Sequence, residues 1–480
     1  MTPRTQESRP VTWPNAPAAD LGREARVQRG KAARTRAPRS GQGVWEPAAD
    51  RSDPVAILMD QASSRIQELV PVRNGRMLGS AFAFYRGSAA IMAADLARTP
   101  TSGFQAQLCG DAHLSNFGGY ASPDRQLVFD LNDFDETLPG PWEWDVKRLM
   151  ASLVIAGRDR GFDDHERATV VRAASAAYRQ TMRDMAELSH LEVWYSRLTA
   201  AEIRKRWGSQ AGKKALQQFD RQVEKATTKH HVRAAAKLTG TVNGETRFLS
   251  DPPLITPVSE LVREGEAAAF AEIIEESLRA YRGSLTGSHR HLIEQFRYVD
   301  AARKVVGVGS VGTRAWVVLM LGIVDDAPLV LQLKEARRSV LAPASGRSAY
   351  QKQGQRVVVG QQLMQASSDI FLGWARVTGL DGVARDFYFR QLWDWKVSAE
   401  VGRQSPANMG IYAQMCAWVL ARAHARSSDR VAVAAYLGTS NVFDAAMVEF
   451  AEAYADQNER DYEQFLAAAR EQRIEVSLGH

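Results

Sequence analysis

The residues best suited to chemistry lie between positions 109 and 116, where the chain reads CGDAHLSN. Transfer of a phosphoryl group to a hydroxyl requires a carboxylate that orients the acceptor and takes its proton, together with oxygen ligands for Mg²⁺. An acid and an amide five positions apart on one short loop can supply both. We expect Asp111 to be the base and the Asn116 amide oxygen to bind Mg²⁺, with His113 stabilising the loop.

A second group of acids follows a predicted strand at 127–131, where the sequence FDLNDFD ends at Asp135. Mg²⁺ binds few protein oxygens and completes its shell with water and phosphate oxygens, so one further carboxylate would be enough. We assign that role to Asp133, which falls where the strand ends. Asp130 and Asp135 fit either a supporting role at the site or an acidic turn in solvent.

A glycine-rich segment, GVGSVG at 307–312, follows a predicted strand and precedes another at 315–323. A dinucleotide-binding fold would require a helix after these glycines. A glycine loop between two strands is instead the arrangement that covers the ATP phosphates in protein kinases, where a lysine on a nearby strand pairs with the α- and β-phosphates. The predicted nucleotide contacts are Gly307, Gly309, Ser310, Gly312 and Lys334.

Four regions are predicted to position these residues. Residues 1–50, rich in Pro, Arg and Ala, have the composition of a disordered basic tail. Residues 51–300 hold the catalytic loop, the metal-binding strand and long helices. Residues 301–397 form a small nucleotide-binding sheet lobe, and residues 398–480 return to the large lobe as helices. The predicted fold class is therefore α+β.

Composition bounds the class of protein further. The longest apolar run, 315–324, is too short to span a bilayer, so no membrane span is expected. Two cysteines cannot form a disulfide framework, which predicts a cytoplasmic location. The net charge of +6 comes largely from the first fifty residues, which argues against nucleic acid as a partner of the remaining chain. The oligomeric state has no signal in the sequence.

The segment 111–116 resembles the G-D-x-H-x-x-N loop of aminoglycoside phosphotransferases and related small-molecule kinases. Residues 129–135 are similar to the metal-binding strand of those enzymes, and 420–425 resemble the end of the helix that precedes their catalytic loop. In this chain that helix comes after the loop, and so do the glycine loop and Lys334. The resemblance implies a two-lobed, protein-kinase-like fold that is circularly permuted, with a small antiparallel-sheet lobe and a large helical lobe.

Together with 82–87 and 142–145, the same segments also resemble an uncharacterised bacterial family with a domain of unknown function, over most of residues 50–470. The kinase resemblance implies ATP and Mg²⁺ as cofactors and a small hydroxylated molecule as acceptor. Kinases usually pair the strand lysine with a glutamate on the next helix. No acid occurs between Ala336 and Ser368, and that helix offers only glutamines, at positions 355, 361 and 362.

Further polar residues have two interpretations each. Asp145 is placed to be the N-cap of a helix, while the kinase resemblance implies that an acid at this distance braces the catalytic loop. Arg86, with Arg73 and Arg76, precedes the catalytic loop and could bind an anionic substrate or form structural ion pairs.

Three functions fit these residues. The first is an ATP- and Mg²⁺-dependent phosphotransferase whose partners are a nucleotide and an unidentified acceptor; nucleotidyl transfer is a variant of it. The second is a pseudokinase that binds a nucleotide or a regulatory partner without turnover, which the absent glutamate suggests. The third is a metal-dependent phosphohydrolase, since GDAH at 110–113 also resembles the opening metal motif of such enzymes. That function would require further His and Asn ligands, and the other histidines lack the spacing.

Overall fold

The computed structural model describes residues 21–227, 235–242, 244–263, 265–305, 307–392, 395 and 397–477. Helices predominate and the strands form small antiparallel sheets, which confirms the α+β class. The α-helices with described bounds are α1 (Arg23–Arg36), α2 (Pro54–Ser63), α3 (Val70–Met77), α4 (Ala81–Gly87), α5 (Ala89–Leu96), α6 (Trp142–Asp159), α7 (Asp164–Glu187), α8 (His190–Tyr195), α9 (Ala200–Trp207), α10 (Lys213–Thr227), α11 (Val258–Leu261), α12 (Ala267–Arg282), α13 (Gly287–Ile293), α14 (Ala342–Ser345), α15 (Gln353–Met364), α16 (Pro406–Ser427), α17 (Arg430–Leu437) and α18 (Val442–Arg470). The strands are β1 (Gln105–Leu108), β2 (Phe117–Ala121), β3 (Leu127–Leu131), β4 (Leu138–Pro141), β5 (Thr239–Val242), β6 (Glu245–Phe248), β7 (Ile255–Pro257), β8 (Phe296–Lys304), β9 (Ala315–Gly322), β10 (Pro328–Glu335), β11 (Gly373–Thr378), β12 (Ala384–Gln391) and β13 (Val397–Ser398).

The largest sheet has six antiparallel strands in the order β11-β12-β10-β9-β8-β7. Its central strands β9 and β10 are buried along most of their length, as expected where both faces of a sheet are covered. Helix α12 packs Phe270, Ile274 and Tyr281 on one face, and Leu238 and Phe248 lie against the other. The sheet begins with β7 at Ile255, before the predicted start of the sheet lobe at residue 301. The sequence did not indicate this, because an amphipathic helix such as α12 has the same apolar period whether it packs on a sheet or on other helices.

The helical part is built on α6, α7, α16 and α18, which share one hydrophobic core. Helix α6 is buried on nearly every side, as expected for a helix at the centre of a core. The short strands β1 to β4 lie on this core, with the predicted catalytic loop, residues 109–116, between β1 and β2. Among the described residues, no single helix is both long and apolar enough to cross a membrane.

The prediction of a disordered tail is wrong for the part of it that the structure describes. Helix α1 packs against α17, and a Cβ atom on Gly30 would come within 2.2 Å of the Ala432 carbonyl oxygen, so glycine permits this close contact. The Arg34 guanidinium donates hydrogen bonds to the carbonyl groups of Ala435 and Tyr436 near the end of α17. Arginines that suggested a solvated tail thus satisfy the free carbonyl groups at a helix C-terminus. Residues 1–20 lie outside the described residues.

Two predicted helix boundaries also differ from the structure. The pattern predicts one helix over 200–228, but the chain breaks between α9 and α10, where Gly208 and Gly212 disfavour helix. The pattern predicts two helices over 442–456 and 460–471, but α18 is continuous. Gln457 and Asn458, between these segments, are buried and hydrogen-bonded, and their polarity interrupted the apolar pattern without interrupting the helix.

Candidate active site

A cleft of about 640 Å³ separates the six-stranded sheet from the helical part. It brings together residues that are far apart in the chain, such as Arg86 and Lys334, which are separated by 248 positions. The predicted site residues that line it are Arg86, Asp111, His113, Asn116, Asp133, Asp135, Gly307, Gly309, Ser310 and Lys334. Three others, Asp130, Asp145 and Gly312, are not among the residues that line it.

The catalytic loop is fixed by its own short hydrogen bonds. The Asn116 side-chain amide donates to the Asp111 carbonyl oxygen at 2.6 Å, which uses the amide nitrogen and leaves the amide oxygen side for a ligand. The His113 Nδ1 accepts from the Ser115 backbone N–H at 3.2 Å, as its predicted loop-stabilising role requires. Gly110 has a φ of +84°, and a Cβ there would lie 2.4 Å from the Glu136 carbonyl oxygen. Only glycine fits this turn.

Asp111 is held by one oxygen. Its Oδ1 accepts from Arg148 Nε at 2.9 Å and contacts Arg148 Nη2 at 2.8 Å, while its Oδ2 is 3.8 Å from His113 Nε2. The pKa of Asp111 is raised to about 6. Burial is the largest cause and the negative charge of Asp133 adds to it, while the positive charges of Arg148 and Arg86 act in the opposite direction. The carboxyl group is 18% exposed, at the wall of the cleft. A carboxylate with a pKa near neutrality and one oxygen facing a cleft is suited to accept a proton.

Asp145 braces the catalytic loop from below. Its carboxylate accepts the backbone N–H of Cys109 at 2.8 Å and of Gly110 at 3.1 Å. Helix α6 begins at Trp142, so the N-cap interpretation of Asp145 is wrong: the residue lies inside the first turn and points at the loop. Pairing a buried carboxylate with two backbone N–H groups fixes where Asp111, the next residue of the loop, must lie.

Asp130 is structural in its contacts. It lies fully buried on β3, where Arg422 Nη2 approaches its two carboxylate oxygens at 2.5 and 2.6 Å. The backbone N–H of Ala366 is a further donor to it, at 2.9 Å. These bonds tie the metal-binding strand to α16 and to the end of α15, and they leave the carboxylate no path to the cleft.

Helix α16 carries two more supports for the same loop. The Tyr412 hydroxyl lies 3.1 Å from the carbonyl oxygens of both Leu114 and Phe117. His424 Nε2 lies 3.3 Å from the Asp145 carboxylate, and its Nδ1 lies 2.8 Å from the Tyr178 hydroxyl. Helix α16, almost three hundred residues downstream of the predicted catalytic loop, therefore packs against that loop and supports it.

Lys334 lies on β10 with its amine at the cleft wall and only 3% of its side chain exposed. Its Nζ is 2.5 Å from the Asp135 carboxylate and 3.6 Å from that of Asp133. Burial alone would lower the pKa of this amine, but Asp133 and Asp135 together raise it above its usual value. The lysine is charged, and its acidic partner comes from the metal-binding loop instead of from the next helix.

Asp135 is itself held by three donors. Besides Lys334, the Tyr388 hydroxyl donates to it at 2.6 Å and the Ser310 hydroxyl donates at 3.2 Å. Burial would raise the pKa of Asp135, but Lys334, the Tyr388 hydroxyl and Arg390 outweigh burial and lower the pKa below its ordinary value. Asp135 thus links the lysine strand, the glycine loop and the metal-binding loop.

The helix that lacks a glutamate contributes an arginine. Arg356, on α15, donates to the carbonyl oxygens of Asp135 at 2.8 Å and of Thr137 at 2.6 Å. Among the described contacts, none joins the glutamines of this helix to Lys334. In the resembled kinases the acid that pairs with the lysine lies on the helix. Here that acid is Asp135, on the loop after β3, and the helix binds the backbone of the same loop through Arg356.

The glycine loop lies between β8 and β9, as predicted, and contains a short 3₁₀ turn at Val308–Ser310. Arg65 holds the loop from outside, donating to the carbonyl oxygens of Val311 at 2.5 Å and Gly309 at 3.0 Å. A Cβ on Gly309 would lie 3.4 Å from the Arg86 carbonyl oxygen, so the loop passes close to the end of α4. Gly312 has a φ of +82° and serves the turn into β9.

Among the described residues, no group of three or more His, Cys, Asp and Glu side chains could hold a metal ion alone. This geometry gives no support to a phosphohydrolase with a histidine-rich metal centre. A sparse Mg²⁺ site is a different case, because phosphate oxygens supply part of its shell. Asn116 and Asp133 fit such a site: the backbone N–H of Asn132 bonds to the Asn116 carbonyl oxygen at 2.9 Å, which places both residues at one end of the β2–β3 pair.

Comparison with known protein families gives one match. The family model described as "Uncharacterized protein conserved in bacteria (DUF2252)" matches residues 65–468. The chain belongs to this family. Neither a curated protein nor a solved structure matches the chain. The DUF2252 match includes residues 109–116, the glycine loop, Lys334 and α16, and of the residues that line the cleft Gln61 alone lies outside it.

The sequence did not reveal three residues of this DUF2252 site. Tyr388 lies opposite Lys334 across the β10–β12 pair, and Arg390 lies opposite Gln332, so both would follow from the strand register. Arg148 lies in the second turn of α6 and binds Asp111. In the sequence alone it resembles an ordinary surface arginine of a helix. Nothing in the spacing of the sequence indicated it.

Proposed function

We propose that the chain is an ATP- and Mg²⁺-dependent phosphotransferase with a circularly permuted, kinase-like arrangement of its parts. One observation carries this proposal. Lys334, from a strand that follows a glycine loop, lies 3.6 Å from Asp133, and the same cleft is lined by Asp111 and Asn116. A base, two metal-ligand candidates and a phosphate-binding lysine in one cleft are the parts that phosphoryl transfer requires.

The contacts assign a task to each residue. Asp111 orients the acceptor hydroxyl and takes its proton through Oδ2, because Arg148 occupies Oδ1. Asn116 and Asp133 would hold Mg²⁺, and Lys334 would hold the nucleotide phosphates under the glycine loop. When bound, ATP supplies the phosphoryl group and Mg²⁺ stabilises the charge that develops on the phosphate oxygens.

The packing of α16 supports the permuted order. In the resembled kinases a helix leads into the catalytic loop, and here α16 lies directly under that loop through Tyr412, Arg422 and His424 without being joined to it in sequence. The glycine loop and Lys334 likewise follow the catalytic loop in the chain and line the same cleft as its residues. These placements support the proposed permutation of a kinase-like order.

The acceptor is proposed to be a small hydroxylated molecule. The cleft of about 640 Å³ is within the range of small-molecule sites. Its walls beyond Lys334 are polar, which suits a ligand with several hydroxyl groups. This part of the proposal rests on the analogy with the resembled kinases.

Ligand-dependent thermal stability tests the proposal. A ligand that binds only the native state at a hundred times its Kd stabilises it by about 2.7 kcal/mol. We expect ATP with Mg²⁺ to raise the melting temperature, and Asp133→Asn to abolish the Mg²⁺-dependent part of the shift. Asp381→Asn, which removes a half-exposed acid at a distant hairpin, is the matched control. If no nucleotide stabilises the wild-type chain, the proposal is refuted.

A pseudokinase is the second candidate, favoured by one contact. Lys334 forms its ion pair with Asp135 of the loop after β3 and not with a helix glutamate, which departs from the arrangement of the resembled active kinases. ATP consumption with pooled hydroxylated metabolites distinguishes the two functions. Stabilisation by ATP without consumption under any acceptor would favour the pseudokinase.

A further inference from the structure

The side chain of Arg86, at the cleft wall, has no acidic hydrogen-bond partner among the described residues. Arg86 lies in the last turn of helix α4, lines the cleft, and has its Nε buried without a hydrogen-bond acceptor. Burial lowers the pKa of its guanidinium, and Asp111 is the charge that opposes this. The neighbouring Arg148 differs, because Asp111 and the Tyr85 carbonyl oxygen already occupy it. A half-buried cation without an ion-pair partner is stabilised when an anion arrives to pair with it.

The position of Arg86 indicates where that anion would lie. Its backbone carbonyl is in contact distance of Gly309, as the 3.4 Å approach of a Cβ there shows, so α4 touches the glycine loop. Its guanidinium is close enough to the catalytic loop to lower the pKa of both Asp111 and His113. Arg86 therefore stands between the loop proposed to cover the phosphates and the carboxylate proposed to receive the acceptor.

The surroundings of Arg86 strengthen the positive potential on this side. Arg73 is fully buried behind it and donates to the Gly87 carbonyl oxygen at 2.8 Å, with its other nitrogens unsatisfied. Arg65, on the same side of the cleft, holds the glycine loop and also has a buried Nε without an acceptor. Arg65 and Arg86 thus bring positive charge to the wall of the cleft, and Arg73 lies buried next to Gly87. Positive charge concentrated at a cleft attracts an oxyanion into it.

We propose that Arg86 forms an oxyanion subsite beside Asp111, which binds a phosphate-type group during the reaction. Two sources have this chemistry: the terminal phosphate of the nucleotide, or an acidic group carried by the acceptor. In either case the planar guanidinium would bind through two N–H groups. The inference rests on the proposed function for the identity of the anion, but the binding of an oxyanion by Arg86 does not depend on it.

The test compares wild type with Arg86→Gln and Arg86→Lys, using inorganic phosphate, ADP with Mg²⁺ and ATP with Mg²⁺ as separate ligands in calorimetry. Arg297→Gln is the control, since Arg297 is 53% exposed and pairs with Asp326 at a hairpin. We expect Arg86→Gln to weaken phosphate binding about ten- to a hundred-fold, the effect of one lost charged hydrogen bond. Arg86→Lys should retain part of the affinity, and the control should retain all of it.

The nucleotides separate the two sources. If the subsite takes the terminal phosphate, Arg86→Gln weakens ATP binding and leaves ADP binding unchanged. If it takes an acidic group of the acceptor, both nucleotides bind as in wild type, and the variant fails to bind phosphate beside ADP. Equal affinity of wild type and Arg86→Gln for all three ligands would overturn the subsite. Wild type that binds phosphate through Arg86 but binds no nucleotide would keep the subsite and refute the proposed kinase.

A measurement on the wild-type chain covers the case in which Arg86→Gln does not fold. Phenylglyoxal modifies accessible arginines, and mass spectrometry identifies each modified position. We expect phosphate to protect Arg86 and to leave the modification of Arg297 unchanged. Equal modification of Arg86 with and without phosphate would overturn the proposal.

Discussion

The contact between Lys334 and Asp135 permits a quantitative prediction for Asp135→Asn. The substitution keeps the size of the side chain and an oxygen for the Tyr388 hydroxyl, but it removes the charge that lies 2.5 Å from a lysine with 3% of its side chain exposed. Removal of one partner of a buried pair costs about 3–5 kcal/mol, because the other charge stays buried. Asp133 remains at 3.6 Å and Asp135 is itself 26% exposed, so the lower limit applies. We expect a loss of about 3 kcal/mol in the free energy of unfolding.

Urea unfolding followed by circular dichroism and tryptophan fluorescence would measure this loss, since two probes show whether the sheet part and the helical part unfold in one step. Asp381→Asn again serves as the control: it removes a pair of similar length between Asp381 and Arg385 on a surface hairpin of the same sheet. An exposed pair contributes about 0–1 kcal/mol. Calorimetry on Asp135→Asn should also show weaker binding of ATP with Mg²⁺, because the amine of Lys334 loses its anchor.

The reasoning is refuted if Asp135→Asn unfolds at the same urea concentration as Asp381→Asn and binds ATP as wild type does. That result would mean that Asp133 alone positions Lys334. A large loss of stability with unchanged nucleotide affinity would make Asp135 structural only.

Three further predictions concern the catalytic loop. Asp111→Asn should bind ATP with Mg²⁺ as wild type does but lose transfer, measured as ATP consumption; undiminished turnover would remove Asp111 from the role of base. The pKa of Asp111 is raised to about 6, so its basic form is lost as the pH falls through that value: the rate should be level above pH 6 and decline about tenfold per pH unit below it. A rate that stays level down to pH 5 would contradict this. Asp145→Asn places an amide donor against the N–H groups of Cys109 and Gly110. We therefore expect a loss of about 1–3 kcal/mol in the free energy of unfolding and a lower rate with unchanged ATP affinity. Lowered affinity for ATP would show that Asp145 supports nucleotide binding instead.

Residue types and spacing predicted the local parts of the cleft because each part is a local structure. An Asp and an Asn five positions apart require only one turn of chain, and a glycine loop between two strands is recognisable from its own residues. The structure brings Asp111, Asn116, Asp133 and Lys334 to one cleft, although their roles remain predictions.

The partners of these residues could not be predicted, since they depend on packing between distant segments. Asp135 and Lys334 are 199 positions apart, and only the approach of the sheet to the metal-binding loop makes them a pair. Arg356 was overlooked because the expected partner on that helix was an acid. Helix α1 was predicted to be disordered because its arginines count as charge in the composition. In the structure, Arg34 of this helix donates hydrogen bonds to carbonyl groups of α17.

The position of α16 has a consequence for how the protein is made. Asp130 and its partner Arg422 are separated by 292 residues, and chains are synthesised at about 5–20 residues per second, so roughly 15–60 s pass between them. During that interval the nascent chain lacks Arg422, the counter-ion of Asp130, and it lacks the helix that supports residues 109–116. Late arrival of such long-range contacts slows folding and leaves apolar surface exposed to chaperones. A ribosome stalled before α16 would therefore hold a complete set of catalytic-loop residues and no active site.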